Sequence, residues 1–472
     1  MLVDRKTLAD RWRARIAVLS GSATSSWDAA RDDLRLDYVH GGLTEVEITG
    51  GGAAPLELLV ADTNTAEGLW PMTTSAGTVL VEGAYLVRTA GVRDGRLSLT
   101  GDTSEAGKLT VWAGAAVRSI DWNGSPVRTT ANGDESLTGT VPGPQPATLP
   151  PLTDWKFASE APGAQPGFDD GDWTLADHPV SNASSSSAPV LYASDYGYDR
   201  GFVWYRGHFT ATGSETGVTL TVDGIAPTGA YSVWLNGAFL GSGSAAGAQT
   251  EAFTFPPAIT ILAENTGNPE GPSGEKAGLH GASLAGSSAP ISWRLMGDPG
   301  GSTLQDAVRG VMNPSGLFGA DNGWDLPGYP DASWQDVTLP DSWSARGVPA
   351  GIGWYRTTFS LNLPSRGYVP IDVQIGGPGP GAGTADYRAF IYVNGWLIGR
   401  YVNNVGPQHQ FYVPAGILND HGGNTLAIAV WGLDQAGGGL DAVSLVAAGD
   451  QQGGVPVAPV GRSAGSRFSE GC

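Results

Sequence analysis

Trp396, Arg400, Tyr401, Asn403, Asn404 and His409 share one short segment, and their types suit carbohydrate binding. An aromatic ring covers the apolar face of a pyranose, while Asn, Arg and His exchange hydrogen bonds with its hydroxyls. A competing reading has the segment packing against a neighbouring domain, where Trp, Tyr and Arg are equally expected. Other chemistry finds fewer candidates. The six histidines, at 40, 178, 208, 280, 409 and 421, are scattered, and none forms a cluster with metal-ligand spacing. No metal or other cofactor is therefore expected. The run Gly376-Gly377-Pro378-Gly379-Pro380-Gly381 lacks the Gly-Lys-Ser/Thr ending of a phosphate loop and reads as a surface loop. Cys472, the single cysteine, has no partner within the chain, which excludes an internal disulfide framework.

The elements that must position these residues are strands. With 71 glycines, 32 prolines and 16 tryptophans among 472 residues, Gly/Pro-rich turns separate short Val/Thr/Tyr/Trp runs, the pattern of an antiparallel all-β protein. The chain also repeats itself. Trp204-Tyr205-Arg206 and Trp354-Tyr355-Arg356 each follow an acidic turn ending in tryptophan, at Asp172-Trp173 and Ser333-Trp334. Each precedes a strand that closes on Asn-Gly, at Asn236-Gly237 and Asn394-Gly395. Landmarks repeated in order over such a distance indicate a duplicated domain, because solenoid repeats run only ~20–50 residues. Alternation sends Trp and Arg of each tripeptide to one face of its strand and Tyr to the other. A packing role, with the ring covering the Arg stem and the guanidinium wet or paired with an acid, explains the motif most simply.

The expected organisation is an irregular or helical lead over 1–30, an antiparallel β-domain over 31–145 and a proline-stiffened linker. Two tandem copies of the duplicated β-domain follow, over 152–297 and 300–448, and then a disordered tail over 449–472. A formal charge of −20 argues against nucleic acid, whose phosphates demand clustered Lys and Arg, and against an anionic membrane surface. No run approaches the ~20 apolar residues of a membrane span. The charged start carries no signal-peptide pattern, so the chain as written reads as cytoplasmic. Two sequons, at Asn123 and Asn182, would accept glycans in a secreted protein.

The stretch from Tyr392 through Asn403-Asn404-Val405-Gly406-Pro407-Gln408, continued by Phe411-Tyr412-Val413-Pro414-Ala415-Gly416 to Leu426, resembles the C-terminal jelly roll of fungal β-galactosidases of glycoside hydrolase family 35. Shorter pieces in the same order look like that family too, among them Gly83-Ala84-Tyr85-Leu86-Val87-Arg88-Thr89-Ala90, Val117 to Gly124 and Ser194-Asp195-Tyr196-Gly197. The resemblance runs from about residue 55 to 448. It implies galactose-binding-like jelly rolls, β-galactosides or galactose as ligands, an extracellular setting, and a catalytic (β/α)8 barrel as the intramolecular partner of these β-domains.

A retaining glycosidase needs two carboxyl groups ~5 Å apart. No such pair can be nominated here, and the nearest mimic of the family's Asn-Glu motif, Ala263-Glu264-Asn265, closes a jelly-roll strand. No catalytic residue is therefore named. The expectation is an accessory, non-catalytic half of a β-galactosidase-like hydrolase, with a free-standing galactoside-binding protein as the alternative.

Overall fold

Alternating apolar residues and tight Asn/Gly turns yield strands almost throughout. A computed structural model describes them over residues 15–453, apart from 29, 32, 40, 51–52, 115, 135, 161, 182–187, 224–228, 246–248, 255–258, 266–275, 299–308, 310–312, 314–315, 347, 349–350, 365–366, 378–384, 434–437 and 450. Among the described residues the α-helices are Thr63–Glu67 and Phe318–Asp321, and neither is long enough to cross a membrane. The chain is all-β and divides into two compact units, one of 1–147 with 364–369 and 449–456, the other of the remainder.

In the first unit a five-stranded sheet, ordered Thr129–Ala131, Leu137–Val141, Gly107–Trp112, Gly77–Glu82 and Leu69–Thr74, packs on a four-stranded one. The second sheet is ordered Ser125–Val127, Ser119–Trp122, Arg96–Asp102 and Leu86–Arg93. Val81, Leu97, Leu109 and Val111 fill the space between them. Three features differ from expectation. Arg15–Ser20 and Ala23–Asp28 are strands rather than an irregular lead, because pairing with Leu43–Gly50 and Asp33–Tyr38 satisfies their backbones. Ser119–Trp122 runs parallel to Arg96–Asp102 within the otherwise antiparallel domain. In the expected tail, Gln451–Gln452 pairs with Gly367–Tyr368, and residues 454–472 lie outside the described ones.

The second unit contains the duplication. The first copy has a six-stranded sheet ordered Thr174–Leu175, Ser292–Gly297, Gly201–His208, Ile259–Asn265, Gly229–Leu235 and Ala238–Ala245. A three-stranded sheet, Gln249–Thr254, Gly217–Asp223 and Gly278–Ala285, completes the sandwich. The second copy repeats the order with Gln335–Val337, Trp155–Glu160, Gly351–Ser360, Gly423–Gly432, Tyr387–Val393 and Trp396–Val402. Its three-stranded sheet is Gln410–Val413, Ile371–Ile375 and Val443–Ala447.

One strand breaks the tandem arrangement expected from sequence. Trp155–Glu160 precedes the first roll in sequence yet pairs with Gly351–Ser360 of the second, in the slot that Ser292–Gly297 fills in the first. Trp155 and Phe157 are buried there, Phe157 lying 5.0 Å from Tyr355 and 6.1 Å from Trp343 between ring centroids. The first roll is thus inserted into the second, and a boundary at residue 152 assigns this strand to the wrong sandwich.

The two six-stranded sheets also bury each other's faces. Phe202, Trp204, Ala230, Trp234 and Leu262 of the first pack against Ile352, Trp354, Phe390, Tyr392, Ala427, Ala429 and Trp431 of the second. Residues one position along, Val203, Tyr205, Val233 and Ile261, face the first roll's own core. Burial on both faces explains why Gly201–His208 and Gly229–Leu235 are mostly apolar and aromatic, with Arg206, His208 and Ser232 as the exceptions, although antiparallel sheets commonly leave one face to water. Indole N–H groups at this face are satisfied: Trp204 donates to the Gly316 carbonyl at 2.9 Å, and Trp431 to the Ser232 hydroxyl at 2.9 Å.

Candidate functional site

The six sugar-binding candidates lie on the second roll, five of them on or just beyond its edge strand, Trp396–Val402, but they do not converge on one open surface. Tyr401 and Asn403 are each only 2% exposed. Tyr401 donates its hydroxyl hydrogen to Asn403 Oδ1 at 2.7 Å, and His409 Nδ1 stands 3.0 Å from the same hydroxyl and 3.1 Å from the Ile375 carbonyl. Asn403 Nδ2 in turn donates to the Ala385 carbonyl at 2.8 Å. This trio is an interior network fastening the strand end. Arg400 lies 3.8 Å from Glu264 of the first roll and 5.7 Å above the Phe390 ring, so it belongs to the contact between rolls. Trp396 is half-buried beside the Asn394-Gly395 turn, and Asn404 is exposed in the turn that follows the strand.

The Trp-Tyr-Arg tripeptides show what their alternation builds. Trp and Arg do share a face, and each guanidinium ties down the loop that enters its own roll. Arg356 donates from Nε to Asp331 at 3.0 Å, from Nη1 to the Trp324 carbonyl and from Nη2 to the Leu326 carbonyl at 3.2 Å. Tyr329 and Trp334 cover its guanidinium carbon at 5.5 and 5.9 Å. Arg206 repeats the clamp with Asp170 at 3.1 Å, the Gly163 carbonyl, the Gln165 carbonyl at 3.1 Å and Phe168 as its ring.

The copies differ in two places. Arg206 engages partners through Nε and Nη1 alone, so Nη2 makes no hydrogen bond among the described residues. His208 stands where the second roll has Thr358, and its Nε2 lies 2.6 Å from Asp170 Oδ2. Burial works to raise the Asp170 carboxyl, but the hydrogen bond to His208 and the neighbouring positive groups outweigh it and hold the carboxyl below its ordinary range. Beside this clamp a shallow hollow with room for about one water, open to solvent, is lined by Ala164, Pro166, Arg206, Gly207, His208, Asn236, Ile259 and Thr260. Sequence reasoning missed it. The available signal was the unequal pair His208 and Thr358 inside an otherwise repeated motif.

The buried acids serve the scaffold. Glu264 is 4% exposed and pairs with Arg388 at 2.5 Å, and burial raises its carboxyl against the pull of Arg388 and Arg400. Glu160 accepts from Phe318 N at 2.5 Å and from Trp354 Nε1, and burial pushes its carboxyl up to about 7. In the first unit Glu45, 1% exposed, accepts from Trp112 Nε1 at 3.1 Å. Its carboxyl is pushed up to about 9, first by burial and then by Glu57 and Asp134. Among the described residues no group of three His, Cys, Asp or Glu side chains is arranged to hold a metal. Of the two sequons, Asn182 lies outside the described residues. Asn123 sits in a left-handed turn with φ 50°, its carboxamide donating to the Gly101 carbonyl at 2.9 Å and accepting from Gly101 N at 3.0 Å.

Comparison with known proteins agrees with this architecture. Residues 168–268 and 318–436 match the family model described as Beta-galactosidase second all-beta domain, and residues 59–138 match Beta-galactosidase, domain 3. A probable beta-galactosidase C of Neosartorya fischeri is 37% identical over 448 residues, 88% of this chain and 44% of the relative. A probable beta-galactosidase B of Penicillium rubens is 34% identical over 435 residues, 85% of this chain and 42% of the relative. The chain therefore spans less than half the length of the curated relatives it matches. Among solved structures, a lectin of Pleurotus ostreatus covers 66% of this chain and 86% of its own at 16% identity, with a TM-score of 0.16 that carries no structural argument.

Proposed function

We propose, from a chain that belongs to the β-galactosidase family through its all-β domains, that it is the accessory, non-catalytic part of a β-galactosidase-like hydrolase. In the whole protein it would support hydrolysis of terminal β-galactosyl residues, with the chemistry supplied by a (β/α)8 barrel of the glycoside hydrolase family 35 type. One observation carries the reading: the matches fall on all-β domains and cover only about 44% of the first relative. The carboxylates support it, because Glu160 and Glu264 are enclosed in clamps instead of flanking a cleft. Val18, Leu19, Tyr38 and Val39 are large apolar side chains exposed on the first unit, which a barrel would cover.

The test is hydrolysis of a chromogenic β-galactoside by the purified chain. No turnover above background is expected, since without a carboxylate pair an acceleration of at least ~10⁶-fold is forfeited. Turnover that survives repeated purification would overturn the assignment.

A further inference from the structure

The dipeptide Asn-Gly occurs at Asn123, Asn132, Asn236, Asn322 and Asn394. Here a chain can attack itself, because a glycine without a Cβ lets its amide nitrogen reach the preceding carboxamide carbon. Attack requires the carboxamide to swing over that nitrogen, and hydrogen bonds to either group oppose it. Four of the five are held. Asn123 donates to the Gly101 carbonyl at 2.9 Å and accepts from Gly101 N at 3.0 Å. Asn394 donates to the Ile417 carbonyl at 2.7 Å and to Asn424 at 2.9 Å, and accepts from Thr425 N at 2.8 Å. Asn132 donates to the Ser136 hydroxyl at 2.8 Å. Asn322 donates to the Phe318 carbonyl at 2.8 Å, and the attacking atom, Gly323 N, donates to the Ala320 carbonyl at 3.1 Å. Asn236 differs: it is exposed, and among the described residues neither its carboxamide nor the Gly237 amide makes a hydrogen bond.

Duplication supplies the control. Asn236-Gly237 and Asn394-Gly395 are equivalent turns, and both lead into edge strands, Ala238–Ala245 and Trp396–Val402, where local opening is cheapest. The second turn is also clamped through its backbone, by Arg309 Nη1 at 3.4 Å from the Asn394 carbonyl and Asn313 Nδ2 at 2.6 Å from the Gly395 carbonyl. No such clamp holds the first turn among the described residues. We propose that Asn236 deamidates in the folded protein ahead of the other four, making the tip of this hairpin a site of spontaneous covalent modification. The Gly237 nitrogen bonds to the Asn236 side-chain carbonyl carbon as the Cγ–Nδ2 bond breaks, and the nitrogen's proton leaves with the ammonia. Water then opens the cyclic imide at either carbonyl, giving aspartate or isoaspartate. The net change is ammonia for water, with no oxidation or reduction, and the product carries one negative charge beyond −20.

The experiment ages the full chain in mildly alkaline buffer, folded and in denaturant. Each Asn-Gly is followed by peptide mapping with mass spectrometry and by enzymatic methylation of isoaspartate. In the folded chain Asn236 should convert at least about tenfold faster than Asn123 and Asn394, because freeing a part-buried, hydrogen-bonded carboxamide costs about that factor. In denaturant the five sites should convert at similar rates. Asn236→Gly, which keeps the left-handed turn at φ 48°, should abolish the more acidic form that accumulates first. The proposal is overturned if another Asn-Gly converts before Asn236 in the folded chain or if Asn236 leads by the same margin in denaturant. Unchanged accumulation of the acidic form in the variant would overturn it as well.

Discussion

Phe202→Ala tests whether the two rolls are energetically one body. Phe202 is 1% exposed, on the face of the first roll's sheet that meets the second roll. Its ring meets Phe390 edge-on at 4.7 Å and Trp431 at 5.5 Å, both in the second roll. Removing a buried phenyl costs about 3–5 kcal/mol, of which each edge-to-face contact accounts for ~0.5–1.5 kcal/mol beyond the area lost. In a unit of roughly three hundred residues a kcal/mol is worth about 1.5–2 °C, so the melting temperature should fall by ~5–10 °C. Hydrogen exchange measured strand by strand is the discriminating assay. The substitution lies in the first roll, yet exchange should also accelerate in Tyr387–Val393 and Gly423–Gly432 of the second. Val203→Ala, one residue along and facing the first roll's own core, should concentrate its effect there. If Phe202→Ala left protection in the second roll unchanged, the shared face would not couple the two sandwiches and the reasoning would fail.

The first unit should lose stability as pH rises. Glu45 holds its proton in the folded state up to about pH 9, whereas the unfolded chain releases it near 4.5, so stability is greatest below 4.5 and falls towards 9 by at most ~1.4 kcal/mol per pH unit. The lowered carboxyl of Asp134 acts in the opposite sense but only below about pH 4, outside that window. Thermal melts from pH 5 to 9 should therefore slope downward and flatten in Glu45→Gln; equal slopes in both proteins would refute the assignment. Arg356→Lys should cost about 2–4 kcal/mol by denaturant unfolding, because an ammonium cannot reach Asp331 and two loop carbonyls from one rigid plane. A cost below ~0.5 kcal/mol would show that the clamp is incidental.

The sequence by itself determined the strands, their turns and the duplication. These are local or repeated properties: Asn236-Gly237 and Asn394-Gly395 have left-handed dihedrals because their residue types tolerate them, and a tripeptide written twice announces two copies of one sandwich. Alternation even assigned Trp204 and Arg206 to one face. What lay across that face was decided only in three dimensions. The capture of Trp155–Glu160 by the second roll is a pairing between segments far apart in sequence, and strand patterns specify that a strand pairs without naming its partner. The segment from Trp396 to His409 shows the same limit for function. Its residue types suit a sugar, an interface or an interior network equally, and burial committed Tyr401 and Asn403 to the last of these. The clamp around Arg206 left only the unequal pair His208 and Thr358 as a trace in the sequence, since which hydrogen bonds a buried guanidinium makes is decided only once every neighbouring carbonyl has been placed.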